Sequence, residues 1–350
     1  MVPAGGEIRY PDGSRDNHRR GVCRMTPAVT ACRRLIVAAT LALLVGAAGP
    51  AFAEHWPARP VHLVVPFAPG GSTDVVSRVV GEHLSRLWDQ PVVIDNKPGA
   101  GTNLASDLVA KAEPTGYTML MASSSMAAGR NLYRALPYEI DDLAPVSLIV
   151  TFPLVMVVPN ASPAHSVAEF VAFARANKGH VSFASPGLGT TPHLAGELLK
   201  QMTGIDMTHV PYRGDAPALT DTIGGRVDLQ IGGSLLLEQV RSGKVRGLAV
   251  TPAARSPLAP ELPSVAESGV PGYDVRTWFA LLVPARTPPS VIAKINADAA
   301  RVLADPGVRA RFAQIAMVAA PSTPEALGAL IAADVKKWGA VIHAAHIVLE

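Results

Sequence analysis

What constrains this chain most is a unit that recurs along it: a short β-branched run, a turn carrying glycine, and a helix opening directly from the turn. Val61-His62-Leu63-Val64-Val65 stops at Pro66, the loop Phe67-Ala68-Pro69-Gly70-Gly71-Ser72 follows, and Val75, Val76, Val79, Val80, Leu84 and Leu87 then recur at helical spacing. A strand at 92–94, a glycine loop at Pro98-Gly99-Ala100-Gly101, a helix over 103–112 and a strand over 117–122 continue the alternation. A second series begins after the apolar stretch 154–158. It runs through a helix at 167–176, a strand at 181–183, the loop 184–191, a helix at 193–202, and strands at 207–210, 227–231 and 245–250. Residues 251–272 are proline-rich and irregular; a strand at 278–283 and helices over 290–303, 308–314 and 324–342 follow. Such alternation predicts mainly parallel sheets with helices on their faces. With crossing segments near 151–158 and 274–283, it predicts two α/β lobes, one of residues 54–153 with 278–350, the other of 154–277.

Before the first unit lies a different kind of segment. Arg33-Arg34 precedes an apolar run from Leu35 through Leu44 to Ala48, then Pro50 and the small-residue triplet Ala51-Phe52-Ala53. That is the order of a secretory signal peptide, too short and too rich in alanine and glycine for a membrane anchor. It predicts export, cleavage after Ala53, a start at Met25 with residues 1–24 as an overlong extension, and a periplasmic location. Residues 1–53 hold seven of the 31 Lys+Arg and three of the 28 Asp+Glu, so the remainder carries 24 against 25. A near-neutral remainder without a basic stripe argues against nucleic acid or anionic lipid as a partner. Cys23 and Cys32 also fall in the leader, leaving no thiol for a disulfide, a metal or a nucleophile, and Cys32 is misplaced for a lipid anchor.

Two loops carry the candidate chemistry. In Phe67-Ala68-Pro69-Gly70-Gly71-Ser72-Thr73-Asp74 and in Ser185-Pro186-Gly187-Leu188-Gly189-Thr190-Thr191-Pro192-His193, glycines permit close backbone approach and a helix starts immediately afterwards. The first amides of a helix lack intrahelical acceptors and sit at the positive end of its dipole, which suits an anion. The residues alone equally allow plain strand-to-helix turns with Ser72 or Thr73, and Thr190 or Thr191, as N-caps, and Asp74 as a helix-start carboxylate. Enzyme signatures such as His-Glu-x-x-His, Gly-x-Ser-x-Gly and the phosphate-binding glycine loops do not occur. His193 and Glu197 stand four apart and could share a metal, but no third ligand is evident, so neither metal nor cofactor is expected. Phe67 and Tyr212 adjoin turn residues and read as cleft wall.

The motifs Val65-Pro66-Phe67-Ala68-Pro69-Gly70-Gly71-Ser72-Thr73-Asp74, Asn96-Lys97-Pro98-Gly99-Ala100-Gly101, Pro114-Thr115-Gly116-Tyr117, Thr190-Thr191-Pro192-His193-Leu194-Ala195-Gly196-Glu197 and His209-Val210-Pro211-Tyr212-Arg213-Gly214 resemble, in order, the Bug-type receptors of tripartite tricarboxylate transporters. The resemblance runs from about Trp56 to Ala345. It implies a two-lobed type II periplasmic-binding-protein fold that closes on a small carboxylate solute, without catalysis, and acts as a monomer with membrane transporter subunits or a sensor protein. Carried over, the ligand-binding positions are Gly71, Ser72, Thr73 and Asp74 in the first lobe and Ser185, Gly189, Thr190 and His193 in the second; Phe67, Ser123, Ser124, Tyr212, Arg213 and Ser234 complete the set expected to line the ligand. One departure stands out: Gly232-Gly233-Ser234 occupies a place where many relatives carry an acidic or amide residue, so Ser234 is expected to supply the contact to the solute's far end. An exported hydrolase or isomerase is the alternative outside binding proteins, and it lacks a recognisable nucleophile and base.

Overall fold

The computed structural model describes residues 56–348; the expected leader, its cleavage point at Ala53 and both cysteines lie outside the described residues. Two sheets organise the described chain. The first has the strand order β11-β4-β10-β3-β1-β2, where β1 is Val61–Val65, β2 Val92–Asn96, β3 Thr118–Ser123, β4 Leu143–Phe152, β10 Thr277–Pro284 and β11 Val318–Ala319. The second has the order β7-β6-β8-β5-β9, with β5 Val155–Val158, β6 Ser182–Ser185, β7 Thr208–Pro211, β8 Leu229–Gly232 and β9 Arg246–Val250.

The sheets are mixed, which corrects the expectation of mainly parallel ones. β1 pairs parallel with β2 and β3, and β6 pairs parallel with β7 and β8. In contrast β10 runs antiparallel to β3 and β4, and β5 runs antiparallel to β8 and β9. The reason lies in the chain's path. β4 passes into β5, and the segment after β9 returns into β10, so the strands that carry the chain between sheets cannot keep the sense that strand-helix-strand crossovers impose.

At that passage the two chain segments are tied together. Thr251 Oγ1 accepts from the Leu154 amide (3.2 Å) and donates to the Val275 carbonyl (2.9 Å). Phe152 and Phe279, one from each segment, pack with ring centroids 4.9 Å apart.

Helices flank both sheets: α1 Ser72–Trp88, α2 Asn103–Ala110, α3 Met126–Leu132, α4 Val167–Ala176, α5 Thr191–Thr203, α6 Asp215–Ile223, α7 Ser234–Arg241, α8 Pro289–Ala304, α9 Pro306–Gln314 and α10 Pro324–Ala344. α1 shows why the pattern folds as it does. Val76, Val79, Val80 and Leu84 bury one stripe, while Arg78, Glu82 and Arg86 face water. Gly81 lies on the buried side, where an added Cβ would come within 3.1 Å of Ile94, so the helix sits close on β2. After β10, α8 and α10 pack on β4, and Trp278 Nε1 donates to Asp334 of α10 at 2.7 Å. α10 also meets the second sheet's α5, where Gln201 Nε2 donates to the Val341 carbonyl at 2.7 Å.

Candidate functional site

In a parallel sheet, the loops that leave the carboxyl ends of the strands gather along one edge. Along the first sheet this edge carries the β1–α1 loop with Gly70 to Thr73 and, beside it, Ser123 to Ser125 at the end of β3. Along the second it carries the β6–α5 loop, the turn Tyr212–Gly214 after β7 and Gly232-Gly233-Ser234 after β8. The edges meet. Ser124 Oγ and Thr191 Oγ1 are 2.8 Å apart and buried, and the Thr191 amide points at Ser125 Oγ (3.4 Å).

The helix starts at this junction are not capped as expected. α1 is preceded by Gly71, with φ −75° and ψ 168°, and α5 by Thr190; neither N-cap side chain bonds its helix. Thr190 Oγ1 donates instead to the Gly187 carbonyl at 2.7 Å. α1 presents the fuller set of amides, those of Ser72, Thr73 and Asp74. At α5, Pro192 has none, Thr191 is directed at Ser125 and Leu194 donates to Thr190. The Gly189 amide is also committed, donating to His193 Nδ1 at 3.1 Å.

Several of the predicted residues brace these loops. Asp74 is buried, and its carboxylate accepts from the Gly70 amide (2.9 Å), Asn96 Nδ2 (3.0 Å) and both Arg78 Nε (2.8 Å) and Arg78 Nη2 (3.0 Å). Burial alone would raise its carboxyl; the bonds from Arg78, Gly70 and Asn96 outweigh it and hold the group below its ordinary value. Asn96 also donates to the Phe67 carbonyl at 2.9 Å, so half-buried Phe67 is fixed at the loop's start. Ser185 is likewise occupied, donating to the Gly187 carbonyl (3.0 Å) and bonded to His209 Nε2 (2.7 Å).

Below that loop His193 and His209 stack with centroids 3.9 Å apart. Burial lowers His193 to about 4 and His209 to about 3, so both rings are neutral and His193 can accept the Gly189 amide. Glu197 Oε1 lies 4.0 Å from His193 Nε2, and Lys200 Nζ holds the other oxygen at 2.9 Å. Among the described residues no group of three or more His, Cys, Asp or Glu is placed to hold a metal ion.

Tyr212 donates its hydroxyl to Asp221 (2.7 Å) and packs by its ring beside Ala184, Ala218 and Val227. Arg213 is exposed, and Ser234 is the first residue of α7. Ser123 is buried, with Oγ unpartnered.

A profile of the tripartite tricarboxylate transporter family receptors matches residues 76–347. The chain belongs to this family. It is 37% identical over 314 residues to protein BugT of Bordetella pertussis, covering 89% of this chain and 96% of that one. Among solved structures, R. palustris Rpa4515 with adipate superposes with TM-score 0.78 at 35% identity, covering 84% of this chain and all of that one. The periplasmic binding protein BugD gives TM-score 0.75 at 33% identity over the same shares. The chain is thus a solute-binding receptor of the Bug type, with the two-lobed periplasmic-binding fold, and its family and neighbours are binding proteins.

Sequence reasoning passed over five receptor residues that the structure brings to the junction: Ser125, Thr191 as a contact between sheets, His209, Thr277 and Asp215. Asp215 opens α6, whose signal was the acidic residue after a glycine with Pro217 in the first turn and Ala218, Leu219 and Thr222 at helical spacing.

Proposed function

We propose that this receptor captures a small carboxylate-bearing solute between its two sheets and presents the closed form to a membrane transporter. The carboxylate is held chiefly by the unpaired amides of Ser72, Thr73 and Asp74 at the start of α1, assisted by the hydroxyls of Ser72 and Thr73 and by the start of α5. The observation that carries this reading is the uncapped α1 terminus, braced by Asp74 and lying on the edge that meets α5 through Ser124 and Thr191. The adipate bound by the similar Rpa4515 supports a carboxylate as the ligand class. Solute that touches both edges favours closure by the contacts it makes only there.

Gly71 offers a clean test. Its backbone is extended, and an added Cβ would meet nothing closer than the Ala68 carbonyl at 3.6 Å, so substitution leaves the fold intact. Calorimetric titration of a short carboxylate and its uncharged amide should show the carboxylate favoured by about 1.5–3 kcal/mol, and Gly71→Val should weaken it by crowding the amides. Equal affinity for acid and amide would remove the anion clamp.

A further inference from the structure

At the inner end of the junction, three buried polar atoms have no partner in the protein: Ser123 Oγ, Thr277 Oγ1 and Asp215 Oδ1. They belong to one neighbourhood. Ser123 is paired with Phe279, and Thr277 with Phe152, so all four side chains share a face of the first sheet. The Phe152 and Phe279 rings pack together there. On the second sheet's side, a Cβ built on Gly233 would lie 4.0 Å from Phe152 Cε2 and 3.7 Å from Asp215 Oδ2. Asp215 and Phe152 thus flank Gly233, and Phe152 shares its sheet face with Phe279 and the two hydroxyls.

The carboxylate is only half satisfied. Asp215 Oδ2 accepts the Gly233 amide at 3.3 Å, while Oδ1, shut off from solvent, accepts nothing. No cation of the protein is bonded to it among the described residues; Gln230 Nε2 donates to the Asp215 main-chain carbonyl (3.2 Å) and lies close enough to ease the carboxylate's charge. Buried carboxylate oxygens without donors are costly and uncommon in native proteins. Gly232 explains how the group is accommodated. A Cβ at position 232 would lie 2.3 Å from Asp215 Oδ1, so the acidic side chain from α6 occupies the space that a side chain on β8 would take. Ser234, one step into α7, is not needed to supply the polar group there.

Resting on the capture reading above, we infer that Asp215, with Ser123 and Thr277, is the specificity-determining subsite for the far end of the solute, and that it selects a hydrogen-bond donor, hydroxyl or ammonium, over a second carboxylate. The anchor carboxylate binds at α1, and the opposite end presents its donor to the Asp215 carboxylate, whose Oδ1 turns out from above Gly232 to receive it. A carboxylate in that place would face Asp215 oxygen to oxygen, and one of the two groups would have to take up a proton. A methyl group would leave Oδ1 as it is.

The test is calorimetry with short unbranched monocarboxylates of equal length ending in methyl, hydroxyl, ammonium or a second carboxylate. The hydroxyl or ammonium compound should bind about ten- to a hundredfold more tightly than the other two, the range of one charge-assisted hydrogen bond. In Asp215→Asn the amide oxygen takes the Gly233 N–H, and the amide nitrogen replaces Oδ1. The ranking should then invert toward the dicarboxylate. Asp215→Ala should flatten it. A wild-type preference for the dicarboxylate, or an Asp215→Asn ranking like wild type, overturns the assignment. Carboxylates that bind without discrimination at the far end sink only Asp215's role. If the amide analogues bind as well as the acids throughout, the capture reading falls, and this assignment with it.

Discussion

Replacing Asp215 by asparagine should change how the solute-free receptor's stability depends on pH. Burial raises the Asp215 carboxyl from 3.8 to about 6, against partial offsets from the Gly233 amide and the Gln230 side chain. A raised carboxyl favours the folded state in acid, and that contribution is lost as pH climbs through about 6. The gap between 3.8 and about 6 corresponds to a cost to the folded state of roughly 3 kcal/mol, absent below about pH 4 and fully present above neutrality. Asparagine keeps the shape and the acceptor for Gly233 but does not titrate. The stability of Asp215→Asn relative to wild type should therefore rise by up to roughly 3 kcal/mol between pH 4 and 8. Urea unfolding of both proteins, followed by tryptophan fluorescence at intervals across that range, measures it. Other titrating groups are common to the two proteins and cancel in the difference. A difference that stays flat, or shrinks as pH rises, would refute the burial of this carboxylate with one oxygen left unpartnered.

Three further outcomes are expected. The lowered values of His193 and His209 make the stability they support present above their ordinary 6.5 and lost as pH falls toward about 4 and about 3, so NMR titration should find both rings neutral at pH 5. Asp74→Ala should cost about 3 kcal/mol in thermal or urea unfolding, because the Gly70 amide and Asn96 Nδ2 lose their acceptor. Ser124→Ala and Thr191→Val should each weaken solute binding, and their double-mutant cycle should show coupling of about 0.5–1.5 kcal/mol, since the hydroxyls bond each other across the junction; strict additivity would contradict that.

Much of this fold was legible because its signals are local. Gly70, with φ 85°, and the spacing from Val75 to Leu87 announce the β1 loop and α1, and Gly204, with φ 69°, ends α5 one residue past Thr203. β4 was not legible over its full length. Pro145 interrupts its apolar run, and the strand tolerates the proline because a register shift between Leu281 and Leu282 lies opposite it. α3, α6 and α7 span only seven to nine residues, fewer than three turns, so the few apolar positions each offers leave a weak period. The site divided in the same way. Glycine turns marked where helices begin, but the destinations of side chains are set by distant partners. Asp74 closes on Asn96 and Arg78, Tyr212 on Asp221, and Asp215 on the space left by Gly232, none of which a local pattern encodes.

The Thr251 side chain lies between the two segments that join the sheets, bonded to Leu154 in one and to Val275 in the other. Two straps fastened to each other at the same level cannot bend independently, as a door hung on one pin can only swing. The tie restrains independent bending of the Phe152–Leu154 and Val275–Thr277 stretches, and on the capture proposed above it would couple a grip on one sheet's edge to the angle of the other.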